Sequence, residues 1–302
     1  MILVNTQANG EELVADSHLL PALAVGAAGG TMIKRYSTTT PNATASLAFL
    51  GTHLGIRPSP VVAAFSSRGP NMLSLEVLKP DLIAPGVNIL AAWTGVAGPS
   101  GLATDRRRVR FNILSGTSMS CPHVSGVAAL LKARHPDWSP AAIKSALMTT
   151  AYIHSNNRRP LTDAANGGLS GPFDHGAGHI APVFSNQACR NTMAGPSDLN
   201  YPALSAVFLQ KEAGSTLTLR RTVTNVGHPL SNYLVRVTPF KGAKIDVKPR
   251  VLNFTKLNQK LSYEVTFTSI LQQSAPEIGY LVWKDGIHRV RSPIVITWLQ
   301  SL

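Results

Sequence analysis

Hydrophobic and polar residues alternate along the last third of the chain. In residues 216–223 and 262–267, most apolar side chains stand at every second position, which is the period of a strand with one buried face. Asp285 and Gly286 lie between two further runs of this kind, and this dipeptide is a strong signal for a hairpin turn. The pattern predicts an all-β sandwich of short strands over residues 195–302.

Residues 45–190 show continuous apolar runs instead of alternation. Three such runs, at 61–65, 82–84 and 89–93, are bounded by proline, glycine or polar residues. Unbroken apolar runs of this length are typical of parallel strands that are covered on both faces. This part is therefore predicted to be α/β, with a parallel sheet and helices on both of its faces.

Two helices are predicted in the same part of the chain. After Ser118 the apolar residues recur at helical spacing and indicate a buried helix that ends near Arg134. Ser139 is suited to cap the next helix, with Pro140 at its first position. The inward stripe of this second helix is predicted to consist of Ile143, Ala146, Leu147 and Thr150.

The composition describes a folded, globular chain with room for about two domains. A hydrophobic content of 44% and a charged content of 14% exclude intrinsic disorder, and no run approaches the roughly 20 apolar residues of a membrane span. The formal net charge is +13, from 28 basic and 15 acidic residues. The tight basic run at 106–110 lacks the interleaved aromatic residues of a nucleic-acid site and is interpreted as a solvated loop. The basic excess favours solubility and contact with acidic polysaccharide surfaces over a nucleic-acid partner.

Candidate chemistry centres on Ser118. A hydroxyl at a helix N-terminus lies beside unpaired backbone N–H groups and the positive end of the helix dipole. The position suits a serine nucleophile, because these groups stabilise the oxyanion that forms when the serine attacks a carbonyl. A serine at this position is also commonly a plain helix cap, and the spacing alone leaves both interpretations open.

Residues 116–131 resemble the nucleophile segment of the subtilisin-like serine proteases, and residues 64–70 and 79–87 resemble segments that precede it in the plant branch of that family. The resemblance covers essentially the whole chain. It implies a serine endopeptidase in which Ser118 is the nucleophile and supplies a backbone N–H to the oxyanion hole. Peptides or proteins are the implied substrates, and no cofactor is implied. The resemblance also places the substrate cleft near Ser66, Ser67, Gly69, Pro70 and Met119.

The same resemblance implies that the catalytic partners of Ser118 are missing. Subtilisin orders its triad Asp, His, Ser, yet the 117 residues before Ser118 contain no Asp-Thr/Ser-Gly segment, no His-Gly-Thr-His segment and no oxyanion Asn segment. His53 lacks the sequence context of the family's histidine and is not expected to be a base. The chain alone is therefore expected to be inactive. The alternative is a non-catalytic remnant that binds peptides or a partner chain, and an incomplete gene model would produce the same pattern.

The histidines and cysteines indicate no further site. His175 and His179 flank two glycines, but their spacing suits no common zinc pattern, and the resemblance makes this segment a structural loop, so no metal is expected. Two cysteines do not make a disulfide framework. Cys121 is predicted to be a small buried residue. The family's partner for Cys189 would lie in an internal stretch that this chain lacks after Pro182.

The resemblance divides the chain into three parts. Residues 1–44 would be a remnant of the protease-associated domain, residues 45–190 the C-terminal part of the subtilisin-like catalytic domain, and residues 195–302 a fibronectin-III-like domain. It implies a secreted, extracellular protein of the cell wall, although the first residues do not form a signal peptide. In that setting, the sequons at Asn42 and Asn253 would permit N-glycosylation.

Overall fold

The computed structural model describes residues 1–48, 51, 53–181, 200–209, 214–271 and 273–299. The chain divides into two compact units. The first comprises residues 1–66, 84–123 and 154–170, and the second comprises residues 67–83, 124–153 and 171–302. The predicted domain boundary at 190–195 and the predicted internal gap after Pro182 lie outside the described residues.

The first unit contains two small sheets. β1 (Ile2–Val4) and β2 (Leu23–Val25) pair in parallel, and α1 (Ala27–Thr39) follows β2. The start of the chain therefore contains short strands and a helix. β3 (Ile89–Ala92) and β4 (Phe111–Leu114) form an antiparallel pair.

The parallel strands predicted for the middle of the chain form only short pairings. Residues 61–65 are not a strand: Val62 alone pairs, with Asp163, and Phe65 is exposed. The run at 82–84 forms isolated bridges in the same way. A parallel strand needs hydrogen-bonded neighbours along its length, and the described residues give the runs at 61–65 and 82–84 only isolated bridges. The prediction is also wrong for the run at 89–93, because β3 pairs antiparallel with β4 and is mostly exposed instead of being covered on both faces.

The nucleophile-bearing helix, α2 (Thr117–Arg134), ends where the sequence predicts. The expectation that this helix is buried is wrong. Leu131 is the one buried residue among its 18, and Leu130 is 57% exposed. Helical periodicity indicates which face can be buried, but burial requires a second element packed against that face.

The second unit contains the predicted capped helix, α3 (Pro140–Thr150). The Ser139 Oγ accepts a hydrogen bond from the Ala142 N–H at 3.2 Å, as expected of an N-cap. The inward stripe was correctly predicted for Ala146 and Leu147. Its other buried members are Ala142 and Met148, whereas Ile143 and Thr150 are half-buried. The buried face of α3 is therefore shifted around the helix from the predicted stripe, because Met148 packs into a core with Val295. A short helix, α4 (Pro172–His175), follows.

The remaining strands form the predicted sandwich. They are β5 (Leu204–Leu209), β6 (Thr216–Thr224), β7 (Ser231–Val237), β8 (Ala243–Lys248), β9 (Val251–Phe254), β10 (Lys260–Ser269), β11 (Glu277–Lys284) and β12 (Arg289–Leu299). One sheet has the order β6-β10-β8 and the other β5-β12-β11-β7-β9. Leu219, Val265 and Phe267 lie in the core between them, as their alternation predicts. Asp285 and Gly286 lie in the connection between β11 and β12, residues 285–288, and Gly286 has a positive φ, +97°, which glycine adopts readily.

The outer face of the five-stranded sheet is covered within the second unit. Val295 of β12 is fully buried in a second core with Leu78, Met148, Ala151, Ala177 and Ala203. The five-stranded sheet thus faces the three-stranded sheet on one side. On its other side it packs against α3 and the loop after α4.

Candidate active site

Ser118 lies at the junction of a strand, a tight turn and a helix. β4 ends at Leu114, Ser115 and Gly116 make the turn, and α2 begins at Thr117. Gly116 has a φ of +155°, which L side chains rarely adopt. This local geometry places Ser118 in the first turn of α2, and its side chain is exposed.

A second segment, 84–86, fixes the start of α2. The Gly116 N–H donates to the Gly86 carbonyl at 2.8 Å, and the Ser120 Oγ donates to the Ala84 carbonyl at 2.9 Å. Gly86 lies so close that an added Cβ would overlap the Ser120 Oγ and crowd the Gly116 carbonyl. These two hydrogen bonds hold the start of α2, and neither of them involves the Ser118 hydroxyl.

Asn88 forms hydrogen bonds both with the turn before α2 and with residues 13–15 near the start of the chain. Its backbone N–H donates to the Ser115 Oγ at 2.7 Å, its Nδ2 donates to the Leu13 carbonyl at 3.1 Å, and its Oδ1 accepts from the Ala15 N–H at 2.8 Å. Sequence reasoning missed Asn88. The available signal was an asparagine between Pro85-Gly86 and a strand, because asparagine tolerates the positive φ, +53°, found here.

Among the described residues, no histidine side chain hydrogen-bonds to the Ser118 hydroxyl, and the histidine nearest to it in the sequence, His123, is engaged within α2. The His123 Nδ1 lies 2.8 Å from the Met119 carbonyl of its own helix, and since a carbonyl only accepts, this nitrogen carries the proton. His53 is exposed. Within the part of the chain that the structure describes, the Ser118 hydroxyl has no hydrogen bond to another side chain.

The residues predicted to line the cleft are divided between the two units. Ser66 and Met119 belong to the first, with Ser118, and Ser67, Gly69 and Pro70 belong to the second. The Gly69 N–H donates to the Phe173 carbonyl at 2.9 Å, and a Cβ at Gly69 would overlap the Lys79 carbonyl. Ser67 and Pro70 are exposed, and Met119 is half-buried.

The two histidines of the 175–179 segment have separate environments. His175 is buried, and burial together with the nearby Arg291 charge lowers its pKa to about 4. The His179 Nδ1 lies 2.9 Å from the Ile180 carbonyl, and its ring is tilted against Tyr152. Among the described residues, no group of three His, Cys, Asp or Glu side chains is arranged to hold a metal ion.

The remaining predicted positions that the structure describes are on the surface. Asn42 and Asn253 are both exposed. Cys121 is exposed on α2, so the expectation of a buried thiol is wrong, for the same reason that α2 itself is not buried. Cys189 lies outside the described residues. Of the helices described, none is both long and apolar enough to cross a bilayer.

Comparison with known proteins identifies two families. The family model described as "Subtilase family" matches residues 5–179, and that described as "Fibronectin type-III domain" matches residues 198–296. The chain is 59% identical to Subtilisin-like protease SBT1.3 of Arabidopsis thaliana over 338 positions, 52% to SBT1.7 over 336 and 45% to SBT1.5 over 350.

These alignments cover the chain almost completely but only part of each relative. They include 100%, 99% and 100% of this chain, and 43%, 44% and 45% of the three Arabidopsis proteins. The chain therefore spans less than half the length of the curated relatives it matches. The 338 positions aligned with SBT1.3 also exceed the 302 residues of the chain, so the alignment contains gaps in this chain.

Proposed function

Because the chain belongs to the subtilase family, we propose that it carries the nucleophile portion of a subtilisin-like serine endopeptidase, with Ser118 as the nucleophile. The observation that carries the proposal is the exposed Ser118 hydroxyl in the first turn of α2. The substrates are peptides or proteins, and acyl transfer to a serine hydroxyl requires no cofactor.

In the proposed chemistry, each group around Ser118 has a step. The Ser118 Oγ attacks the carbonyl carbon of the scissile peptide bond and loses its proton to a base. The oxyanion that forms is stabilised by the Ser118 backbone N–H and the positive end of α2. As the tetrahedral intermediate collapses, the base returns its proton to the departing amine nitrogen, and the acyl group stays on the Ser118 Oγ. Water then hydrolyses this acyl-enzyme and restores the hydroxyl.

The chain on its own lacks the base for these steps and is inactive. Without a base, a serine hydroxyl is a weak nucleophile at neutral pH. In subtilisin, removal of one triad member lowers turnover by about four to six orders of magnitude. Here the family's Asp, His and oxyanion Asn segments are all absent from the residues before Ser118. A partial oxyanion site remains, which does not by itself cleave peptides at a measurable rate.

A fusion tests this assignment. We expect a chimera that joins the family's Asp-, His- and Asn-bearing segment to this chain to hydrolyse a peptide substrate, and its Ser118→Ala version to be inactive. Equal activity in both chimeras would show that Ser118 is not the nucleophile. A chimera that melts cooperatively but is inactive would remove the proposed function.

The second candidate is a non-catalytic protein that binds peptides or a partner chain. An exposed apolar face on the β3–β4 pair favours it, because Leu90 is 66% exposed, Phe111 is 62% exposed and Ile113 is 38% exposed. Exposed apolar patches commonly mark interaction surfaces. A folded chimera without activity, together with capture of peptides by the unmodified chain, would support this candidate over the first.

Secretion and N-glycosylation belong to the same proposal. Asn42 and Asn253 are both exposed, as an attached glycan requires. Expressed behind a secretory leader, the chain is expected to lose mass when treated with an N-glycosidase. Asn42→Gln and Asn253→Gln should each remove one glycan, and an unmodified wild-type chain would contradict the assignment.

A further inference from the structure

The basic loop, residues 106–110, is held in place by one of its own arginines. Arg107 donates from Nε and Nη2 to the Asp105 carboxylate, at 2.9 and 2.8 Å. It also donates to the carbonyls of Ser17 and His18, at 2.6 and 3.1 Å. Asp105 is buried, and its hydrogen bonds with Arg107 hold the pKa of its carboxyl well below the usual range. Arg107 therefore holds the loop in place, and the Asp105 carboxylate balances its charge.

The other three arginines of the loop have no carboxylate partner among the described residues, although the Arg108 Nη1 donates to the Asp105 and Arg107 carbonyls at 3.1 and 2.8 Å. Arg106, Arg108 and Arg110 are exposed. Asp105 is the single acidic residue in the segment 84–123, and Arg107 already neutralises it. Within the described ranges, none of the three exposed arginines forms an ion pair. The loop thus presents three positive charges from a fixed backbone.

We propose that Arg106, Arg108 and Arg110 form a binding surface for an anionic polysaccharide. The planar guanidinium group suits carboxylate and sulfate oxygens, because it donates two parallel hydrogen bonds and is weakly hydrated. Phe111 directly follows the loop, and its ring, which is 62% exposed, offers an apolar surface to a sugar. Sites for single-stranded nucleic acid need several aromatic platforms for successive bases, and residues 106–110 contain none.

The two ends of the loop support this role. The Trp93 N–H donates to the Arg110 carbonyl at 2.7 Å, so the second end of the loop is also held by a hydrogen bond. β4 then leads from the loop to the turn before Ser118, and its four residues extend about 13 Å. The polysaccharide surface is therefore separate from the proposed nucleophile, and changes to it leave Ser118 intact.

Chromatography of the full chain on immobilised polygalacturonate tests the proposal. The wild-type chain is expected to be retained and to elute with added salt, since electrostatic contacts are screened. The variant R106Q/R108Q/R110Q is expected to elute at no more than half of the wild-type salt concentration. A matched variant, K34Q/R35Q/R57Q, loses the same charge from exposed positions elsewhere in the same unit and is expected to elute as the wild type does.

Three outcomes would overturn the proposal. The wild-type chain could fail to be retained, the two variants could lose retention equally, or single-stranded DNA could be held more tightly by the same arginines. The last result would assign the surface to nucleic acid. Should the triple variant fold poorly, R106E is the second test, because the Arg106 side chain forms no hydrogen bond among the described residues. It is expected to weaken retention without changing the melting temperature.

Discussion

Arg291 of β12 donates from Nη2 to the Ala177 carbonyl at 2.5 Å, across 114 residues of sequence. The same nitrogen donates to the Ala151 carbonyl, directly after α3, at 2.8 Å. The guanidinium lies 5.1 Å from the centre of the Tyr280 ring and is buried. One charged side chain of the sandwich thus satisfies two backbone carbonyls of the subtilase part within the second unit.

Replacement of Arg291 by methionine should lower the free energy of unfolding by about 2–4 kcal/mol, because it leaves two buried carbonyls without donors. Chemical denaturation of the full chain measures this as a lower midpoint at an unchanged slope. Arg289 is the matched control, since it lies on the same strand and is exposed; Arg289→Met is expected to shift the midpoint little. Equal shifts for the two variants would contradict the role assigned to Arg291.

Two glycines near the proposed nucleophile should respond oppositely to alanine. Gly86→Ala brings a Cβ against the Ser120 Oγ and the Gly116 carbonyl, and overpacking of this kind costs about 1–3 kcal/mol. An added Cβ at Gly126, within α2, meets nothing within 4 Å, so Gly126→Ala should stabilise the helix by about 0.5–1 kcal/mol. Thermal melting of both variants checks the signs. A stabilising Gly86→Ala would show that segment 84–86 does not fix the start of α2.

The local features of this fold follow from the sequence, because short-range chemistry determines them. The Ser139 cap and Pro140 set the start of α3, and alternation places Val265 and Phe267 in the sandwich core. The start of α3 depends on residues that are close in the chain. The core positions of Val265 and Phe267 depend on the single apolar face of their strand. A single sequence is sufficient for such features.

The failed predictions concern features that depend on distant partners. The apolar run at 61–65 was sufficient to suggest a strand, but a strand forms only where a neighbour completes its hydrogen bonds. The burial of α2 likewise depends on an element packed against it. Asn88 joins residues 13–15 to Ser115, and no local pattern indicates contacts over such separations.

Acid should destabilise the fold through His175. Its pKa is lowered to about 4 from an ordinary 6.5 by burial and by the Arg291 charge, so the folded state keeps the ring neutral where the unfolded chain binds a proton. The contribution of His175 to stability is therefore complete above about pH 6.5 and is lost as the pH falls towards about 4. This loss amounts to about 3 kcal/mol.

Denaturation of the wild type and of His175→Gln across that pH window separates His175 from the other titrating groups. The pKa of Asp285 is lowered to about 2, with His288 as its hydrogen-bond partner, so its own contribution is lost at lower pH. The wild-type free energy of unfolding is expected to fall more steeply than that of His175→Gln. Parallel curves for the two proteins would rule out His175 as the source of the acid sensitivity.

We propose that the Ser118 hydroxyl is exposed in this chain but lacks the base that would activate it. Fluorophosphonate labelling followed by peptide mass spectrometry measures this directly, because the probe reacts with an activated serine and leaves its phosphonate on the Oγ. The unmodified chain is predicted to show no more labelling than Ser118→Ala, and the chimera with the Asp-, His- and Asn-bearing segment is predicted to be labelled at Ser118. Labelling of Ser118 in the unmodified chain would contradict the account and show that another residue of this chain supplies the base.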